Sequence, residues 1–184
     1  MTNQYQSADI FKQSRQLYSM EQVDVALNKM AKIMTEELAD KNPLCLIIMV
    51  GGSVFAGQLL PKLNFPLQVD YLHATRYRGQ LKGADAIHWL AQPTTPLLDR
   101  HVLILDDVLD AGVTLAEITK YCEAHGAASV RTAVLIDKDV KKSPDGVQKA
   151  DFTALKGPDT YIFGYGMDCQ NYWRNAPGIF ELIE

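Results

Sequence analysis

From Val102 to Leu115 the chain reads V-L-I-L-D-D-V-L-D-A-G-V-T-L: an apolar run, paired acids, a third acid, one glycine and then a helical pattern. The continuous branched residues Val102 to Leu105 are as expected of a strand buried on both faces in a parallel sheet. In such sheets ligands bind beyond the carboxyl ends of the strands, and a helix starting near Val113 aims its unpaired N–H groups there. The turn therefore suits a phosphate, and the acids at the strand end suit ribose hydroxyls or a metal ion. Solvated loop acids and a plain turn would leave the same residues. Two other phosphate-binding patterns, G-x-G-x-x-G and G-x-x-x-x-G-K-[ST], are missing from the chain.

The flanking sequence repeats the strand-helix alternation. Val23, Ala26, Leu27, Met30, Met34 and Leu38 recur every three or four residues, which predicts an amphipathic helix over residues 20–39. Pro43 breaks it, and residues 44–50 form an apolar strand that ends in Gly51-Gly52-Ser53. A helix over 53–60 follows, closed by Pro61. Residues 66–74 alternate as a second strand, residues 75–83 form a basic loop, and 87–91 form a short returning strand. A helix over 113–125 ends at Gly126, and 130–136 is another buried strand. Residues 141–146 (K-K-S-P-D-G) predict an exposed loop, and 161–166 are aromatic and β-prone. The alternation predicts a mostly parallel sheet with right-handed crossovers.

Composition narrows the function classes. At 184 residues one domain is expected, and a net charge of −4 carries no electrostatic footprint for nucleic acid. Cys45, Cys122 and Cys169 are odd in number and far apart, so a reducing, cytoplasmic setting is expected rather than a disulfide framework. His73, His88, His101 and His125 lack the spacing of a zinc site. No apolar run reaches the roughly 18–20 residues that span a bilayer, and residues 1–10 lack the basic start and apolar centre of a leader. Membrane association and export are not expected.

Three further segments place glycine or polar residues after strands. Gly51 and Gly52 allow close backbone approach to an anion, or form a plain turn. Lys138 follows a buried strand and Asp137. The tail reads P-D-T-Y-I-F-G-Y-G-M-D from Pro158 to Asp168, followed by Tyr172-Trp173-Arg174.

Together with the 102–115 motif, these segments resemble the hypoxanthine-guanine phosphoribosyltransferases, a branch of the type I phosphoribosyltransferases. The likeness implies one domain over residues 1–184: a core of about 40–140, and a small hood from about 1–20 and 150–184. It implies Mg2+-dependent transfer of the phosphoribosyl group from phosphoribosyl pyrophosphate (PRPP) to hypoxanthine or guanine, giving IMP or GMP and pyrophosphate. Asp106 and Asp107 would hold ribose hydroxyls and, with Asp168, the metal. Asp110 would accept the purine proton. Ala111, Gly112, Val113 and Thr114 would hold the 5′-phosphate, while Gly51, Gly52 and Arg174 would meet pyrophosphate. Lys138, Tyr161, Ile162 and Asp168 would bind the purine, and Arg76 and Tyr77 would belong to a closing lid. A homodimer or homotetramer is implied as well.

This chain departs from the family pattern in four places. Gly51 stands where a basic residue is usual, in a loop where the family carries a non-proline cis peptide. Arg76 replaces a serine, Ala111 a threonine and Cys169 a tyrosine. Two other functions fit the same motifs: a nucleotide-sensing, RNA-binding regulator on this fold, against which the net charge argues, and a transferase that prefers xanthine.

Overall fold

The computed structural model describes residues 8–76 and 87–183. The elements in chain order are β1 (Ser14–Tyr18), α1 (Met20–Leu38), β2 (Leu44–Ile48), α2 (Gly52–Leu59), β3 (Gln68–Arg76) and β4 (Ile87–Ala91). They continue with β5 (His101–Leu109), α3 (Val113–Ala124), β6 (Ser129–Lys138), β7 (Phe152–Gly157), β8 (Ile162–Phe163) and β9 (Ile179–Leu182). Among the described residues six strands form the central sheet in the order β4-β3-β2-β5-β6-β7, and β1-β9-β8 form a second, small sheet. In the central sheet only the β3–β4 pair is antiparallel. The expected α/β fold with a mostly parallel sheet between helices is therefore the observed one.

The strands explain the layering. Leu103 and Leu105 of β5 face one way, into a core with Val23, Leu27, Met30 and Met34 of α1 and Phe55 and Leu59 of α2. Val102 and Ile104 face the other way, against Leu115, Ile118 and Cys122 of α3. Burying each large side chain contributes about 1.5–3 kcal/mol, so a strand with two buried faces must be apolar throughout. α1 starts at a capping box, in which the Ser19 hydroxyl accepts from the Gln22 amide while the Gln22 side chain accepts from the Ser19 amide. Asp70 ties β3 to the segment after β4 by accepting from the amides of Thr94 and Thr95 at 2.8 and 2.7 Å. Burial opposes ionisation there, but these bonds and that of the Tyr71 amide outweigh it and hold the carboxyl at about 2.

Several boundaries differ from the sequence-based expectation. β5 continues through Asp106 and Asp107 to Leu109, so the paired acids sit within the strand rather than past its end. Phe152–Gly157, for which no strand was expected, pairs with β6 in the central sheet, while the small sheet joins Ser14–Tyr18 to Ile162–Phe163 and Ile179–Leu182. Only Ile162 and Phe163 of the 161–166 segment are strand, because Gly164, Tyr165 and Gly166 all take positive φ, at 92°, 51° and 108°. Of the two residues expected in a lid, Tyr77 lies outside the described residues and Arg76 ends β3. Cys45, Cys122 and Cys169 are free and buried. Among the described residues no helix is long and apolar enough to cross a membrane.

Candidate active site

Parallel strands β2, β3 and β5 deliver their carboxyl ends to one edge, where a cavity of about 540 Å³ opens. Its walls include Met49 to Gly51, Asp106 to Leu115, Asp168 and Arg174. A smaller cleft of about 190 Å³ joins it through Asp107, Val108, Asp110 and Asp168, and is closed by Lys138, Tyr161, Ile162 and Met167. The expected sugar-phosphate and purine residues thus line two connected spaces that share three carboxylates.

The larger cavity is built around a turn that only glycine can make. Gly112 has φ 79°, and a Cβ there would lie 2.3 Å from the Val147 carbonyl oxygen. Gly112 is the N-cap of α3, and among the described residues no side-chain cap bond is made there, which leaves the first amides of the helix available to an anion. Residues 143–147 brace the turn from behind. The Ser143 amide donates to the Ala111 carbonyl at 2.9 Å and the Val147 amide to the Gly112 carbonyl at 3.0 Å. The sequence predicted an exposed loop here; a turn signature carries no sign of what the turn packs against.

Across the cavity, the Met49–Val50 peptide is cis, the kind of bond anticipated for this loop. A Cβ on Gly51 would fall 1.9 Å from Asp107 Oδ2, so a side chain there would require the Asp107 carboxylate to move. Val50, on the carboxyl side of the cis bond, is 44% exposed. Gly51 is packed from its other side by the carboxyl-terminal segment, because a Cβ on Gly166 would lie 2.2 Å from the Gly51 carbonyl oxygen.

The acids differ in environment. Burial first, and then the charge of Asp107, pushes the Asp106 carboxyl well above the usual range. Burial also raises Asp107, against the opposing pull of its bond with Asp106 and the charge of Arg174. Such a pair favours a cation or hydroxyl donors beside it. Asp110 is different: its side chain is 62% exposed and its Oδ1 lies 4.0 Å from Lys138 Nζ. Asp168 is held by Arg174 Nη2 at 2.8 Å and by the Asn171 amide at 2.8 Å. Arg174 also donates to the Gly166 carbonyl at 2.8 Å. Tyr161 is half-exposed and its hydroxyl donates to the Asp168 carbonyl at 3.0 Å, so the ring stands at the mouth of the smaller cleft. Asn171, which lines the larger cavity and steadies Asp168, had no signal in the sequence beyond its place between two expected site residues.

Known proteins share this fold. The phosphoribosyl transferase domain matches residues 13–170. The chain is 31% identical to the hypoxanthine-guanine-xanthine phosphoribosyltransferase of Tritrichomonas foetus, over 92% of each chain. It is 30% identical to the hypoxanthine-guanine phosphoribosyltransferase of Streptococcus pneumoniae, over 91% of this chain and 92% of that one. A solved hypoxanthine-guanine-xanthine phosphoribosyltransferase superposes with a TM-score of 0.83 at 29% identity, covering 92% of this chain and 97% of its own. The chain belongs to the phosphoribosyl transferase family, alongside the hypoxanthine-guanine phosphoribosyltransferases.

Proposed function

We propose that this enzyme salvages purines, transferring the phosphoribosyl group of PRPP to hypoxanthine or guanine to give IMP or GMP and pyrophosphate. The observation that carries the reading is the junction of the two clefts, where Asp110 stands beside Lys138 on one side and follows the Asp106–Asp107 pair on the other. A phosphorylated sugar in the larger cavity and a base in the smaller one would meet there. Both relatives described above are named for hypoxanthine and guanine.

In this reading the amides of residues 111–114 and the Thr114 hydroxyl hold the 5′-phosphate, and Asp106 and Asp107 hold the ribose hydroxyls. Gly51, Gly52 and Arg174 face pyrophosphate. The ring of Tyr161 stacks on the purine, a contact worth roughly 1–3 kcal/mol, while the Ile162 backbone meets the base edge. Lys138 donates to the 6-oxo group, which disfavours a 6-amino purine. Asp110 accepts the proton of N7 as N9 bonds to the anomeric carbon and the bond to pyrophosphate breaks. The carboxylate environment fits Mg2+: Asp106, Asp107 and Asp168 offer hard oxygen donors, and two of them are enclosed side by side with raised carboxyls. Mg2+ binds through one or two carboxylates plus substrate oxygens, and when bound would neutralise the departing pyrophosphate.

The family likeness extends the proposal to a homodimer or homotetramer in the cytoplasm, with which three free cysteines agree. The test is nucleotide formation from PRPP, Mg2+ and a panel of hypoxanthine, guanine, xanthine and adenine. Hypoxanthine and guanine are expected to react and adenine to fail; xanthine belongs in the panel because the Tritrichomonas foetus relative is named for it. No product from hypoxanthine or guanine overturns the reading.

A further inference from the structure

Lys142 lies in the segment expected to be an exposed loop, yet its side chain is only 9% exposed. Its ammonium donates to the Leu109 carbonyl at 3.0 Å and to the Lys138 carbonyl at 2.8 Å, and lies 2.8 Å from Asp137 Oδ1. Two of the ammonium's three N–H donors thus bond strand-end carbonyls, and its charge is paired with Asp137. The two carbonyls belong to the last residues of β5 and β6, which are neighbours in register at Leu109 and Asp137. The Leu109 carbonyl is in the peptide bond that begins Asp110, and the Lys138 carbonyl belongs to the lysine proposed to read the 6-oxo group. Asp137 is itself buried and also receives Lys156 at 2.6 Å. Burial would raise its carboxyl, but the bonds from Lys142 and Lys156 outweigh that and keep it below the usual range.

Enclosing a lysine and an aspartate is costly, and an apolar pair of similar volume is often as stable. Stability alone therefore gives weak grounds for an ion pair at this place. What an apolar pair cannot do is bridge two backbone carbonyls and fix the distance between the strand ends that carry Asp110 and Lys138. We propose that Lys142 is a positioning residue for purine recognition and proton transfer, a clamp that sets Asp110 against Lys138 without touching substrate. The proposal rests on the roles given to Asp110 and Lys138 above. It leaves the PRPP side alone, because residues 143–147 support the phosphate turn through backbone bonds that do not involve the Lys142 side chain.

The experiment compares Lys142→Ala, Lys142→Arg and the double variant Asp137→Asn with Lys142→Met, which removes both buried charges together. A displacement of reacting groups by about 1 Å can cost on the order of 100-fold, so Lys142→Ala and the double variant are expected to lose roughly 10- to 100-fold in kcat/KM for purine. KM for PRPP should stay within about threefold, which separates loss of purine positioning from general damage. Lys142→Arg retains donors for both carbonyls and should recover most of the activity. Amide hydrogen exchange supplies a readout independent of turnover: exchange at Asp110 should be faster in both clamp-less variants. Equal losses for purine and PRPP, or unchanged kinetics and unchanged exchange in a folded double variant, overturn the clamp. Faster exchange in an enzyme whose wild type uses no purine would support the clamp and reject the purine reading instead.

Discussion

Asp110→Asn is expected to lower kcat by roughly 10²- to 10⁴-fold, the usual contribution of a positioned general base, with KM for PRPP nearly unchanged. Asn has the same shape and can still accept a hydrogen bond through its amide oxygen, but it cannot take up the purine proton. The location of Asp110 makes the separation clean. Its carboxylate is 62% exposed at the junction of the clefts and 4.0 Å from Lys138, whereas Asp106 and Asp107, four and three residues earlier, form the enclosed pair on the sugar side. Loss of its charge should thus leave the PRPP side intact. Steady-state kinetics with both substrates varied, together with PRPP binding by calorimetry, check this. Near wild-type turnover would remove Asp110 from the mechanism.

Gly112→Ala is expected to have the opposite signature, a rise of at least about tenfold in KM for PRPP, with purine binding much less affected. Left-handed backbone costs a non-glycine residue about 1–2 kcal/mol, and here the new methyl would also meet the Val147 carbonyl oxygen 2.3 Å away. That atom is backbone, in a segment hydrogen-bonded to the same turn at Gly112 and Ala111, so it has little freedom to withdraw. The turn must shift, and with it the amides at the start of α3. Each tenfold in affinity corresponds to about 1.4 kcal/mol, so strain alone accounts for the lower bound. An unchanged KM for PRPP in a folded variant would show that the 5′-phosphate is held elsewhere.

The two variants also mark which parts of the site were legible in the sequence. Strands β2, β5 and β6 announced themselves because two-sided burial demands continuous apolar residues, and α1 because its buried side chains recur at helical spacing. The motif around Gly112 was legible because the acids, the glycine and the helix all fall within one continuous stretch. The small sheet was not: β1 is S-R-Q-L-Y with partial exposure throughout, and its polar residues owe their order to pairing with β9 at the far end of the chain. β7 escaped notice for a related reason, as an edge strand with only its ends buried. The meaning of Gly51 also depended on contacts across the fold. Its closeness to the Asp107 carboxylate and to Gly166 comes from segments far away in the chain. Lys142 looked like one of two solvated lysines in a polar run until the fold brought the ends of β5 and β6 to it.

The central claim is that one ligand spans both clefts, with its phosphate at the Gly112 turn and its base between Tyr161 and Lys138. A crystal structure of the enzyme with GMP tests it most directly. The account predicts phosphate oxygens within hydrogen-bond reach of the amides of residues 111–114, the guanine 6-oxo group on Lys138 Nζ, and the purine ring stacked on Tyr161. GMP bound with its base away from Lys138, or seated in the separate hollow of about 720 Å³ lined by Arg15 and Glu181, would contradict it.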